Sequence, residues 1–348
     1  MEADGAIAER ADAAERPSAL AMRCFWDEGS RAHVPEREFF NGALHPAADR
    51  PERVDAILGA IGPVEAPALL DEAALLDALS RVHDPDYLAF LSEANAEWRA
   101  AGRAGDAIPY CFPVQRRALN LQRIDARLGQ YSYDTCTPVG EGTWPALLAG
   151  TRTLLGALGA VLAGDNAFAL TRPPGHHAGP SYMGGYSYLN WAALAAVASG
   201  RRAAILDLDY HHGNGTQDIV AGREGISFAS LHADPRGDYP YYWGHAEESG
   251  GNILNLPLPR GTDIHAYEAA LGEACAWLSR RDPELLIVSF GADTWDGDPI
   301  SEFKLRTDDY ALLSRQVARL GLPTLVVMEG GYAVDALGSN VAAFLSAL

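Results

Sequence analysis

At 348 residues, 48% of them hydrophobic, the chain is long enough to bury a large core, which excludes a minimal disulfide- or metal-stapled fold and fits one large α/β domain or two ordinary ones. A formal charge of −19 and a pI near 4.8 argue against nucleic-acid phosphates as partners and favour cations, although acidity also serves solubility alone. The four cysteines (Cys24, Cys111, Cys136, Cys275) have no CxxC spacing and are expected as reduced thiols; with an acidic start, MEADGAIAER, and no apolar run expected to reach the roughly 18 residues of a membrane span, a cytoplasmic protein free of membranes is expected.

Residues 1–21 are Ala-rich and charged without an aromatic residue, and are expected as a flexible extension before a single domain over 22–348. MRCFW (22–26) opens the first β-like run. Between 95 and 120 the pattern breaks into Gly, Pro and aromatics, which predicts a long functional or interface loop. From residue 144 a rhythm sets in. The runs NAFALT (166–171), AAILDLD (203–209), ISFASL (226–231), LLIVSF (285–290) and TLVVM (324–328) are mostly separated by helical patterns such as WPALLAGTRTLLGALGAVLAG, YEAALGEACAWLSR and DYALLSRQVARL. Near-continuous apolar strands between helices predict one doubly wound α/β domain, its parallel sheet covered on both faces.

Such sheets carry their chemistry beyond the carboxyl ends of the strands. Here those ends read RPPGHHAG, DYHHGNG, GADTWDGDP and EGGY, so four separate strands deliver His, Asp and Tyr to one rim. In LDLDYHHGNG, alternation projects Asp207, Asp209 and His211 to one side. A carboxylate and an imidazole so placed suit a catalytic divalent metal with three protein ligands and an open position; Asp298 is the candidate third ligand, with Asp293 and Asp296 as competitors. The plain alternative, a buried ion-pair and capping network, does not account for all four strand ends. His176 and His177 sit in a Pro/Gly turn, where an imidazole pair can move protons near neutral pH. Two glycines set Tyr332 where a phenol can stabilise an oxyanion. One metal, a histidine pair and a phenol describe metal-assisted hydrolysis of an amide or ester. G-x-S-x-G, G-x-G-x-x-G and Walker patterns are absent, leaving serine-hydrolase, dinucleotide and phosphoryl chemistry unsupported.

The ordered motifs RPPGHHAG, GGYSYLN, DLDYHHGNG, SLH, GADTWDGDP and EGGY resemble the histone deacetylase superfamily, and within it the bacterial acetylpolyamine amidohydrolases, from about Met22 to the C-terminus. The resemblance implies an arginase-like α/β domain around a sheet of about eight parallel strands. It implies zinc on Asp209, His211 and Asp298, an acid/base pair at His176 and His177, and a carbonyl-polarising Tyr332. It places Asp207 against the first histidine and, with Ser230 and backbone carbonyls, on a structural potassium ion. Asn214 stands where many family members carry an Asp facing the second histidine, so His177 is expected to be the more readily neutral of the pair. Ser187 replaces a common Cys. Tyr186 and Tyr239 match tunnel walls, Glu38 matches a glutamate near the tunnel mouth that meets a distal ammonium, and Asp106 matches another substrate-side acid in the 95–120 loop. The 95–120 loop matches a segment that family members use to form homodimers.

The function expected is therefore a zinc-dependent amidohydrolase removing acetyl or another short acyl group from small cationic amines such as acetylpolyamines. Competing readings are an acyl-lysine deacetylase, a two-manganese ureohydrolase, for which a GGD element is missing, and a binding protein without turnover.

Overall fold

Residues 22–114 and 120–348 are described by a computed structural model of the chain; the expected extension at 1–21 and residues 115–119 of the expected loop lie outside the described residues. The apolar runs become strands for the reason they were conspicuous: each is buried on both faces, so every position must be apolar or internally bonded. The strands are β1 (Arg23–Phe25), β2 (Arg37–Phe40), β3 (Ala43–Pro46), β4 (Ala167–Ala169), β5 (Ala203–Asp207), β6 (Ile226–Ala233), β7 (Ile253–Leu258), β8 (Leu285–Phe290) and β9 (Thr324–Met328). Seven pair in parallel in the order β1-β4-β9-β8-β5-β6-β7, while β2 and β3 form a separate antiparallel hairpin. The sheet thus has seven strands among the described residues where about eight were expected. The edge strand β7 was not singled out in the sequence because it is only partly buried and carries Pro257, tolerated there because an edge N–H needs no ladder partner.

Alternation divides the core in two. Ala169, Ile205, Phe228, Ile287 and Val327 face one hydrophobic cluster, whereas Phe168, Leu206, Ala229, Val288 and Val326 face the other. The first face is covered by helices Pro85–Ala100, Thr143–Leu162 and Trp191–Ser199, and the second by Glu52–Ile61, Ile264–Ser279, Thr307–Ala318 and Val334–Leu345. Each fully buried Leu, Ile or Val contributes about 1.5–3 kcal/mol, and truncating Ile287 in the central β8 to Ala would cost about 2–5 kcal/mol.

Two expectations need correction. Helix Thr143–Leu162 has the length and apolarity to cross a membrane, contrary to the expectation that no run would; in the fold it is a core helix, with Leu147, Leu154 and Leu158 packed toward β1, β4 and β9. Helix Pro85–Ala100, opened by Asp84 and a Pro in its first turn, runs through the first six residues of the segment expected as loop. Its Tyr87, Leu88, Phe90, Leu91 and Ala94 supply the apolar stripe that carries it onward. Irregular chain follows only from Ala101.

Candidate active site

The ends of β4, β5, β8 and β9 meet at one rim, as parallel pairing requires. Past Asp207 the backbone of β5 turns, and the carboxylates brace it: Asp207 Oδ1 accepts the Asp209 N–H (3.1 Å), and Asp209 Oδ1 accepts the His211 N–H (2.9 Å). Asp209 Oδ2 accepts the Gly330 N–H from the β9 end (2.9 Å), and Asp293 Oδ1 accepts the Tyr210 N–H from the β8 end (2.9 Å). Gly291 and Gly330 are needed for this approach, because a Cβ on either would run into the carboxylates of Asp209 and Asp293.

Donor atoms of Asp209, His211 and Asp293 lie within 4.8 Å of one another. His211 Nδ1 is 3.3 Å from Asp209 Oδ1 and 3.2 Å from Asp293 Oδ2. Asp298 is outside that group. Its Oδ2 accepts the N–H groups of Tyr332 (2.7 Å) and Ala333 (3.1 Å), and its Oδ1 that of Ile300 (3.2 Å). The geometry therefore gathers Asp293, a competitor in the sequence, with the first two candidate ligands, and ties Asp298 to the backbone of the tyrosine. Asp296 is exposed and ion-paired to Lys304 (2.8 Å), away from the group.

The charge balance fits a divalent cation. Burial and the neighbouring Asp209 push the Asp293 carboxyl up to about 7, and burial raises Asp298 as well. Burial opposes a charge on His211, but its bonds to Asp209 and Asp293 prevail and push it up to about 9. Asp209, Asp293 and His211, with Asp298 nearby, form a buried oxygen and nitrogen donor set of the kind a borderline divalent metal takes.

The histidine turn is set from below. Glu329 Oε2 accepts the N–H groups of Gly175 (2.6 Å) and His176 (3.1 Å), its Oε1 accepts the Ser289 hydroxyl (3.0 Å), and Trp191 Nε1 donates to Pro173 O (2.9 Å). Ser187 Oγ accepts the His177 N–H (3.3 Å), so the residue at the usual Cys position helps cap the turn. His176 Nδ1 faces Asp207 Oδ2 (3.1 Å) and its Nε2 lies 3.7 Å from Asp209 Oδ1. His177 Nδ1 faces Asn214 Oδ1 (2.7 Å), and the two rings are 4.0 Å apart. Burial opposes protonation of both. For His176 the carboxylates of Asp209 and Asp207 outweigh it and push the pKa up to about 10. For His177 burial and the neighbouring His176 and His211 act together and hold it well below the ordinary value. His177 is the neutral member, as expected, but the cause differs: burial and adjacent imidazoles dominate, and the Asn214 bond works slightly the other way.

Tyr332 is buried under the Arg53 guanidinium, 4.8 Å from its ring centroid. Arg53 donates to Gly331 O (2.7 Å), Glu329 O (2.5 Å) and Asp49 Oδ1 (2.6 Å), clamping the EGGY turn. Asp49 also binds Arg172 of the RPPGHH segment (3.1 Å), so one buried carboxylate links the tyrosine and histidine turns. Burial holds the phenol well above its ordinary pKa despite Arg53, so it keeps its proton for donation.

The wall tyrosines take different sides. Tyr186, in the left-handed region (φ 63°), is edge-on to Tyr332 at 5.4 Å and donates to Glu38 Oε1 (3.0 Å). Tyr239 is edge-on to His177 at 5.2 Å and donates to Asp134 Oδ2 (2.8 Å), which also accepts the Gly185 N–H (2.7 Å). Glu38, on β2, is 6% exposed, and burial raises its pKa. Asp106 is half-buried and turned to backbone, its Oδ2 accepting the Glu36 N–H (3.1 Å) beside Gly140; it anchors the hairpin that carries Glu38. Ser230 sits opposite Asp207 in the β5–β6 register and its hydroxyl bonds His232 Nδ1 (2.8 Å). All four cysteines are free thiols.

Sequence reasoning missed Arg53, Asp49, Glu329 as a turn anchor, and Asp134. Glu329 had a signal, an acid closing an apolar strand. Arg53 had a weak one, a charge on the inward stripe shared by Val54, Ile57 and Ile61.

A sequence profile for the histone deacetylase domain matches residues 47–348. The chain is 43% identical to acetylpolyamine amidohydrolase 1 of Pseudomonas aeruginosa, covering 92% of this chain and 96% of that protein. It is 40% identical to acetylpolyamine amidohydrolase of Mycoplana ramosa, covering 92% and 98%. A crystal structure of acetylpolyamine aminohydrolase from Burkholderia pseudomallei superposes with a TM-score of 0.87 at 33% identity over 94% of this chain and 98% of that one. The HDA15 HD domain, at 24% identity and a TM-score of 0.73 over 93% and 90%, shares the fold. With strand ends that assemble two imidazoles, a protonated phenol and a cation-seeking carboxylate set in one place, the chain belongs to the histone deacetylase family of hydrolases.

Proposed function

We propose that the chain is a zinc-dependent amidohydrolase that removes acetyl or another short acyl group from small cationic amines, acetylpolyamines first among them. The observation that carries this is the Glu38 carboxylate, buried at the hydroxyl of Tyr186, whose ring in turn abuts Tyr332. An acid at a short, fixed remove from the reacting carbonyl selects a substrate with a cation at that remove. The names of the relatives point the same way.

Asp209, His211 and Asp298 would hold the ion, with Asp293 behind them. Asp298 is preferred because it keeps slight exposure at the rim (5%), its Oδ2 on the Tyr332 and Ala333 backbone, whereas Asp293 is fully buried with its Oδ1 on the Tyr210 N–H and its Oδ2 on His211. A bound divalent ion supplies a lowered pKa for water and polarisation of the scissile carbonyl. His177, neutral and giving its Nδ1 proton to Asn214 Oδ1, keeps Nε2 free to take a proton from water and return it to the departing amine. His176, paired with Asp207, carries the positive charge. The Tyr332 hydroxyl donates to the oxyanion as the carbonyl becomes tetrahedral. Asp207 and Ser230, opposed across β5 and β6, would hold potassium with nearby backbone carbonyls. A homodimer is proposed through the β2–β3 hairpin and the 101–114 segment, where Phe39, Phe40, Leu44, Tyr110, Phe112 and Val114 are exposed. The proposal places the enzyme in the cytoplasm.

Turnover of N-acetylputrescine is to be compared with that of an acetyl-lysine peptide on zinc-loaded protein. Preference for the small amine, lost in Glu38→Gln through KM, supports the proposal; preference for the peptide sinks it in favour of the acyl-lysine alternative.

A further inference from the structure

The loop DYPYYWGH (238–245) carries more aromatic surface than the hydrolysis requires. Tyr239 lies against His177, and Tyr241 lies edge-on to Tyr239 at 6.3 Å, so two ring contacts lead from the proposed base to a ring that is 51% exposed. Trp243 packs on Tyr133 at 5.5 Å and stacks on Tyr182 at 6.4 Å; Tyr242, edge-on to Trp243 at 6.2 Å, is 82% exposed.

This exposure is imposed by the fold. Asp238 accepts from Tyr210 Oη (3.0 Å) and from Arg260 (2.8 Å), fixing one end of the loop. His232 Nε2 bonds Gly244 O (2.8 Å), fixing the other, and a Cβ on Gly244 would press into the His212 ring. Between these anchors Tyr241 sits at φ 59°, in the left-handed region that disfavours side chains such as Tyr. Four described non-glycine residues have positive φ, namely Asn41, Tyr186, Tyr241 and Asp282; of the two tyrosines, Tyr186 already lines the site. A strained backbone that turns a large ring outward beside a reactive centre is the kind of outlier from which function is inferred. Aromatic faces attract ammonium groups, and the chain's charge of −19 favours such ligands.

We propose that Tyr241 and Tyr242 form an outer subsite for the distal ammonium groups of long acylated polyamines, triamines and tetramines, which extend past Tyr239. The inference rests on the amine reading of the site and adds a preference for longer amines. In the double variant Tyr241→Leu/Tyr242→Leu, kcat/KM for N1-acetylspermine is expected to fall about five- to twentyfold, through KM, while that for N-acetylputrescine changes less than twofold. Tyr241→Phe, which keeps the ring, should retain the wild-type ratio. Equal losses on both substrates, no loss on either, or a Phe variant as impaired as Leu would overturn the subsite. The part of the tryptophan fluorescence that is lost in Trp243→Phe, one of seven tryptophans, gives a second readout with spermine itself as the probe. A saturable change in the wild type that weakens in the double variant supports the subsite even if no acetylated amine is hydrolysed, an outcome that would defeat only the amidohydrolase reading; no change in the wild type counts against the subsite.

Discussion

Asn214→Asp replaces the amide facing His177 with a carboxylate at the same 2.7 Å contact. The neighbouring pair is a built-in reference: His176, facing Asp207 at 3.1 Å and Asp209 at 3.7 Å, is pushed up to about 10, whereas His177 is held well below the usual histidine range. An adjacent carboxylate typically raises an imidazole pKa by about 1–3 units, and burial opposing the charge sets the expected rise at about one to two, or about 1.4–2.7 kcal/mol of differential stabilisation of the imidazolium. His177 must be neutral to accept a proton, so raising its pKa moves the acidic limb of the rate profile upward. The assay is kcat/KM for N-acetylputrescine across pH, with a thermal melt to confirm folding. On the acidic limb the variant should lose about ten- to a hundredfold at a given pH, recovering as the pH rises through the new pKa. A folded, active variant whose acidic limb stays at the wild-type position would show that His177 is not the proton acceptor.

Tyr332→Phe removes one oxyanion donor and should lower kcat by about 10²–10³, with KM nearly unchanged, in steady-state kinetics. Asp298→Asn should leave protein with clearly substoichiometric zinc by elemental analysis while Asp293→Asn retains most of it; the reverse order would move the third ligand to Asp293. Arg53→Met leaves Asp49 short of one partner and frees the EGGY turn, and should destabilise by about 3–5 kcal/mol in urea titration, with a loss of kcat beyond what unfolding explains.

The candidate site was legible in the sequence because its chemistry is local. Two aspartates and a histidine at alternating positions from the end of β5, a histidine pair after two prolines and a tyrosine after two glycines interrupt or end apolar strands, where ionisable groups cost most. Groups acting from a distance left little trace. Arg53 looks like any first-turn arginine until its helix, packed on helix Val334–Leu345, brings it over a residue 279 positions later in the chain. Asp134 reads as a turn former, and does accept the Cys136 N–H (3.1 Å), yet it also bonds Tyr239 105 residues away. The start of segment 95–120 differs from its expected loop because Asn95 to Ala100 carry no cue of their own and remain helical by continuing Pro85–Ala100.

Composition and period determined the layered α/β architecture: runs of apolar residues buried on both faces can be satisfied only by a parallel sheet between helices. The residue types at four strand ends likewise determined the class of chemistry. The tertiary structure alone decided that Asp293 gathers with Asp209 and His211, and that burial and the neighbouring imidazoles, rather than Asn214, keep His177 neutral. A pKa is set by burial and by charges within a few ångströms, and those distances arise between β4, β5, β8 and β9, segments far apart in the chain.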